Sequence, residues 1–163
     1  MDTLLHREIK QKVPFANRGE LVFLNLLRTV EALGRAEVEL LKTRDLSFSQ
    51  YNVLRILRGA GEAGLTCGEI SSRMVKRDPD VTRLLDRLVA RGLVTRERSD
   101  EDRRVVVARI TAEGLDLLAE LDEPVADMHR SQTVHMEPGE LDDLVALLER
   151  LRSAPEAPPT DRA

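Results

Sequence analysis

Tryptophan is absent from this 163-residue chain, and its aromatics are three phenylalanines and one tyrosine: Phe15, Phe23, Phe48 and Tyr51. The core must therefore be built from Leu, Val, Ile and Ala, and a ligand cleft would lack aromatic walls for stacking. The lone cysteine, Cys67, cannot form an internal disulfide, so a fold held by cross-links is excluded and a reducing, cytoplasmic setting is expected. No apolar run approaches the roughly 20 residues of a membrane helix. The opening Met-Asp-Thr-Leu-Leu-His-Arg-Glu lacks the basic-then-apolar order of a secretory leader. No membrane partner is expected.

Chemistry-bearing patterns are missing as well. There is no Ser-His-Asp order, no glycine-rich phosphate loop and no paired-carboxylate motif, which argues against an enzyme and against a cofactor. His129 and His135 are six residues apart, out of phase on one helix and without a cysteine partner, and His6 lies alone. That spacing does not make a metal site.

What the chain does have is charge, unevenly placed. The net charge is −4, with 33% of residues charged. Residues 66–110 hold eleven basic side chains against eight acidic, whereas residues 111–163 hold four against thirteen. For a polyanionic partner the distribution matters more than the sum, and the middle of the chain is where one would be received.

Helix signals follow in order. Asn17 caps a long apolar-periodic stretch to about Arg44, with Leu21, Leu24, Leu27 and Leu41 among its repeats. Ser47 and Gln50 form a capping box, with Leu46 and Tyr51 as hydrophobic staple, and Gly59, Gly61 and Gly64 end that helix. Thr66 and Glu69 form a second box ahead of a short helix. Asp78 and Pro79 read as N-cap and first residue of a helix over 79–91, with Val81, Leu84, Leu85, Leu88 and Val89 facing inward and Gly92 as the left-handed stop. Two β-like runs, 93–98 and 105–110, flank a charged tip, Arg98 to Arg104. Thr111 opens a long segment in which Pro124 should bend or break the helix. Pro138 opens a last helix, and the tail 153–163, with three prolines, is expected to be disordered.

Helix, short helix, turn, helix, hairpin is the order of a winged helix-turn-helix, mainly α with a small β-hairpin wing (α+β). The runs L-T-C-G-E-I (65–70), V-T-R-L-L-D-R-L-V-A-R-G-L-V (81–94) and D-R-R-V-V-V-A-R-I-T-A-E-G (102–114) resemble the multiple-antibiotic-resistance regulator (MarR) family. The resemblance extends over about residues 18–152. It implies a winged helix flanked by long N- and C-terminal dimerisation helices. The division would be an N-terminal arm and helix (1–45), a DNA-binding domain (46–110), C-terminal dimerisation helices (111–152) and the tail. It also implies a homodimeric repressor of a palindromic operator on double-stranded DNA, released by a small organic effector.

Site residues follow from that reading. On the helix 79–91 the outward face holds Asp80, Thr82, Arg83, Asp86, Arg87, Ala90 and Arg91. Arginines four apart on one face repel by a few tenths of a kcal/mol per pair. A soluble face softened by Asp80 and Asp86 would explain them; so would a duplex, whose guanine edges and phosphates arginine grips bidentately. The resemblance puts this helix in the major groove, where its outward residues Asp80, Thr82, Arg83 and Arg87 would meet base edges; Arg73, Lys76 and Arg77 around the preceding turn suit phosphates, as does Arg103 on the wing. In the family's D-x-R wing pattern, Asp102 matches the acid that orients Arg104, and Arg104 the arginine that enters the minor groove. Cys67, in the first turn after Thr66, lies where a helix dipole favours thiolate and could serve redox sensing. No basic residue is near it in sequence, however, and thiol sensors of this family usually carry the cysteine in the long first helix, which here has none. Two alternatives to the DNA-binding repressor stay open: a winged helix that meets an acidic protein partner without DNA, and a redox-responsive regulator acting through Cys67.

Overall fold

The computed structural model describes residues 3–98 and 102–153. Its elements run α1 (Leu4–Glu8), α2 (Arg18–Lys42), α3 (Phe48–Ala60), a 3-10 turn (Gly61–Ala63), β1 (Leu65–Thr66), α4 (Cys67–Arg73), α5 (Val81–Ala90), β2 (Val94–Arg98), β3 (Val106–Ile110), α6 (Ala112–Thr133) and α7 (Pro138–Arg152). This is a winged helix-turn-helix: mainly helical, with one small antiparallel sheet. Ser99, Asp100 and Glu101, in the middle of the charged tip, lie outside the described residues, as does the tail from residue 154.

The starts of the helices are where the side chains ask for them. Asn17 Oδ1 accepts the Glu20 N–H at 2.9 Å to open α2. Ser47 and Gln50 exchange both bonds of their capping box, at 3.2 and 2.9 Å, and Thr66 and Glu69 do the same at 3.3 and 2.8 Å. Each box satisfies two backbone donors that a helix start would otherwise leave open. Thr111 Oγ1 accepts from Gly114 N at 3.1 Å to open α6, and Pro138 is the first residue of α7. The short α1 was not expected; Thr3 and His6 cap it, and Leu5 is buried beneath it.

The sheet order is β1-β3-β2, all antiparallel, with Val94 opposite Ile110 and Arg98 opposite Val106. β1 is two residues long, too short to leave a periodicity, and pairs Leu65 with Ala108. Gly64 makes that pairing possible. Its φ is +65, and a Cβ there would lie 2.6 Å from the Ala108 carbonyl oxygen, so no other residue allows β1 so close to β3.

The chain divides into two compact units, Met1–Met128 and His129–Ala163. In the first, Leu54, Leu57, Ile70, Leu85 and Leu88 pack with Leu41 from the end of α2 and with Leu118, Leu121 and Val125 of α6. At about 25 cal/mol per Å2 of apolar area, each such side chain contributes about 1.5–3 kcal/mol. One core thus draws on helices from both sides of the 46–110 segment. The second unit holds the last turn of α6 and α7, whose Leu144, Leu147 and Leu151 share one exposed side.

Three expectations are corrected. The N-cap of α5 is Asp80, not Asp78: Asp80 Oδ1 accepts from Arg83 N at 3.0 Å, while Asp78 Oδ1 accepts from Asp80 N at 3.0 Å. Pro79 therefore lies in the turn before the helix rather than at its first position. Val89 is 39% exposed rather than inward, because α5 ends one residue later and the stripe it belonged to runs out. Pro124 does not interrupt α6. Buried Leu121 and Val125 on either side hold the helix to the core, offsetting the ~3 kcal/mol of an interior proline.

Candidate nucleic-acid interface

α4, the turn 74–80 and α5 form the helix-turn-helix. Two anchors fix the turn. Met74 is buried, and Asn52, itself buried on α3, accepts the Val75 N–H on Oδ1 at 3.0 Å. Lys76 and Arg77 follow directly and are exposed, as is Arg73 at the end of α4. Asn52 was not singled out in the sequence, since nothing local distinguishes it from a polar residue on a helix surface.

α5 buries Val81, Leu84, Leu85 and Leu88 and exposes Thr82, Arg83, Asp86, Arg87 and Ala90. The two acids expected to soften the arginine face are both occupied elsewhere. Asp80 caps the helix through the Arg83 N–H, and Asp86 Oδ1 takes the Arg96 guanidinium of β2 at 2.6 Å. Among the described residues no carboxylate pairs with Arg83 or Arg87. Arg91, expected on the same face, instead donates to the carbonyls of Asp45 and Arg44 at 2.6 and 3.0 Å.

The wing is the β2–β3 hairpin. Arg96 ties it to α5, and Arg109 ties it to the 3-10 turn through the Glu62 carbonyl at 2.7 Å; Arg109 also reaches across the hairpin to Glu97 at 3.4 Å. At the tip, Asp102 does contact Arg104, through the main chain: Asp102 Oδ1 accepts the Arg104 N–H at 2.9 Å, and Asp102 O accepts the Val105 N–H at 2.9 Å. Arg103 and Arg104 are both exposed.

Arg104 and Arg96 also line a cavity of about 320 Å3 with Thr66, Cys67, Leu85 and Val106. Cys67 is half-buried there, its Sγ 3.6 Å from Thr82 Oγ1. Arg96 and Arg104 of the wing thus line the same cavity as Cys67. Arg96 is the residue sequence reasoning missed; its partner is ten positions away on another element, so only the fold reveals the pair.

A family model described as MarR family matches residues 44–105, which is α3 through the wing tip. The HTH-type transcriptional regulator TtmR of Methylorubrum extorquens (strain PA1) is 40% identical over 91 residues, 56% of this chain and 46% of that protein. The chain thus matches about half the length of that relative. The multiple antibiotic resistance protein MarR of Escherichia coli (strain K12) is 30% identical over 114 residues, 69% of this chain and 78% of that protein. A solved structure of a mutant of E. coli MarR complexed with operator DNA superposes with a TM-score of 0.71 at 26% identity, over 92% of this chain and 99% of that one. The crystal structure of a MarR transcription factor from Planctomyces limnophilus is 40% identical, with a TM-score of 0.64 over 83% of this chain and 98% of that one. The sequence and fold likenesses span the same elements as the exposed basic face, and the chain belongs to the MarR family of transcriptional regulators.

Proposed function

We propose that this chain is a homodimeric, sequence-specific double-stranded DNA-binding repressor of a palindromic operator, released by a small organic effector. The observation that carries the reading is the state of the acids on α5. With Asp80 spent as a cap and Asp86 on Arg96, the outward face presents Thr82, Arg83 and Arg87 to an external partner. Arginines held this way suit guanine edges in a major groove. Arg73, Lys76, Arg77 and Arg103 surround that face as phosphate contacts, and Arg104, placed by Asp102, enters the minor groove. The operator complex of E. coli MarR supports the same docking by likeness.

Dimerisation is supported by surface that one chain leaves open. Phe23, Leu27, Val30 and Val38 lie on one side of α2, and each is more than half exposed. Soluble monomers rarely show an apolar stripe of that length, and a two-fold copy would cover it. The cavity beside Arg96 and Arg104 is where a small effector would bear on both α5 and the wing. On this reading the protein acts on chromosomal DNA in the cytoplasm.

Selection from a random duplex library tests the reading. The expected outcome is enrichment of an inverted repeat whose half-sites lie about one helical turn apart, with light scattering giving twice the chain mass. Recovery of unpatterned sequence, or a monomer at micromolar concentration, would contradict it.

A further inference from the structure

Just past the end of α5, Arg91 makes a contact that neither the groove-facing residues nor the wing uses. Its guanidinium forks onto two consecutive carbonyls at the end of α2, Nη1 to Asp45 O at 2.6 Å and Nη2 to Arg44 O at 3.0 Å. Both sides of this contact are fixed turns. On the α2 side, Asp45 N donates to Lys42 O and Leu46 N to Leu41 O, both at 3.1 Å, around Asp45 at φ +52. These are the paired bonds that close a helix on a left-handed residue, a conformation uncommon outside glycine. On the α5 side, Gly92 N donates to Val89 O at 2.9 Å and Leu93 N to Leu88 O at 3.0 Å, around Gly92 at φ +72.

Carbonyls at a helix end carry partial negative charge, so each arm of the fork is charge-assisted. Arg44 also pairs through Nε with Glu120 of α6 at 3.1 Å. One turn therefore joins α2, which bears the exposed apolar stripe, to α5, which bears the groove-facing arginines, and to α6. A two-point fork fixes direction as well as distance; an ammonium in its place would fix one point only.

We propose that Arg91 is a positioning residue that sets the angle of α5 against α2, and thereby the half-site spacing that the dimer reads. This rests on the dimeric DNA-binding reading above. The lever is short but sufficient. α5 is about 15 Å long, so a pivot of roughly 13° shifts its far end by about 3.4 Å, the rise of one base pair. A clamp with little slack keeps the two recognition helices in register with one spacing.

The test uses the full chain and duplexes built from the selected half-site, placed as inverted repeats with the spacer varied one base pair at a time. Wild type should show one sharp optimum. Arg91→Gln, which is neutral and lacks the fork, should lower the preference for the optimal spacer over its neighbours by about fivefold or more. Arg91→Lys, which keeps the charge, should fail to restore it. Should Arg91→Gln not fold, the lysine variant alone carries the test through the same ratio. An unchanged ratio with affinity lowered equally at every spacer would overturn the proposal and leave Arg91 a stabilising contact. Full rescue by lysine would overturn it too. A wild type with no spacer optimum would instead overturn the dimeric reading, and the inference with it.

Discussion

Asp102 holds Arg104 by its main chain, Oδ1 accepting the Arg104 N–H at 2.9 Å, with the tip closed behind it by the bond from Val105 N to Asp102 O. The carboxylate therefore shapes the backbone from which Arg104 projects, a task that an amide oxygen performs as well. Charge counting says that removing Asp102 tightens DNA binding, because one negative charge leaves the interface. Shaping says that Asp102→Ala loosens it, because the turn must then be ordered on docking. We expect Asp102→Ala to weaken specific binding severalfold and Asp102→Asn to match or exceed wild type. In an Arg104→Ala background the alanine change should become neutral. A double-mutant cycle at fixed salt reads this coupling; additive effects would leave the tip as a solvated turn.

Arg83 and Lys76 should separate by sequence dependence. Replacing Arg83 by Ala should cost about 1–3 kcal/mol on the selected site and relax choice at one base pair, while Lys76→Ala should weaken every duplex alike. Equal loss on specific and random DNA for Arg83→Ala would make Arg83 a phosphate contact.

Asn52 acts one step back from the surface. Its Oδ1 bond to Val75 N holds the turn that presents Lys76 and Arg77. Asn52→Ala should lower unfolding free energy by about 1–2 kcal/mol and weaken binding without changing the ratio of specific to random affinity. A changed ratio, measured by competition, would mean the turn also aims α5.

The elements that were legible are those whose signals are local. Both capping boxes, the Asn17 cap, Pro138 at the start of α7 and the left-handed Gly92 all stand where the side chains indicated, since each needs only three or four consecutive residues. Asp78 and Asp80 both suit a cap, and local pattern could not choose between them; the chain uses the first to hold the second. β1 left no trace because two residues have no period. The roles of Arg91, Arg96 and Asn52 depend on partners 46, 10 and 23 positions away, and pairings at such range are decided by packing. Arg91 and Arg96 hold α5 itself, and Asn52 holds the turn before it.

Acid should loosen the joint between α3 and α6. Arg58 meets Asp122 bidentately at 2.8 and 2.9 Å, and that hydrogen-bonded guanidinium holds the Asp122 carboxyl below its usual range. A carboxyl with a lowered folded pKa contributes stability above its unfolded value, about 3.9, and loses it as pH falls through the folded one. The pair is half-exposed, so its worth is about 0–1 kcal/mol. Urea melts of wild type and Asp122→Asn should differ at pH 7 and converge as pH falls through the lowered Asp122 value. A constant gap across that range would show that the pair's charge is irrelevant.

The central claim is that the basic face reads DNA sequence, and the salt dependence of affinity on specific and scrambled duplexes tests it most directly. Four assigned phosphate cations per chain, eight per dimer, predict a slope of log K against log salt of about −7. Lys76→Ala should make it shallower by about 2, and at any one salt concentration the selected site should bind at least about 10³ times tighter than its scramble. Equal affinity for site and scramble, or a slope near zero, would contradict the account and favour an acidic protein as the partner of this face.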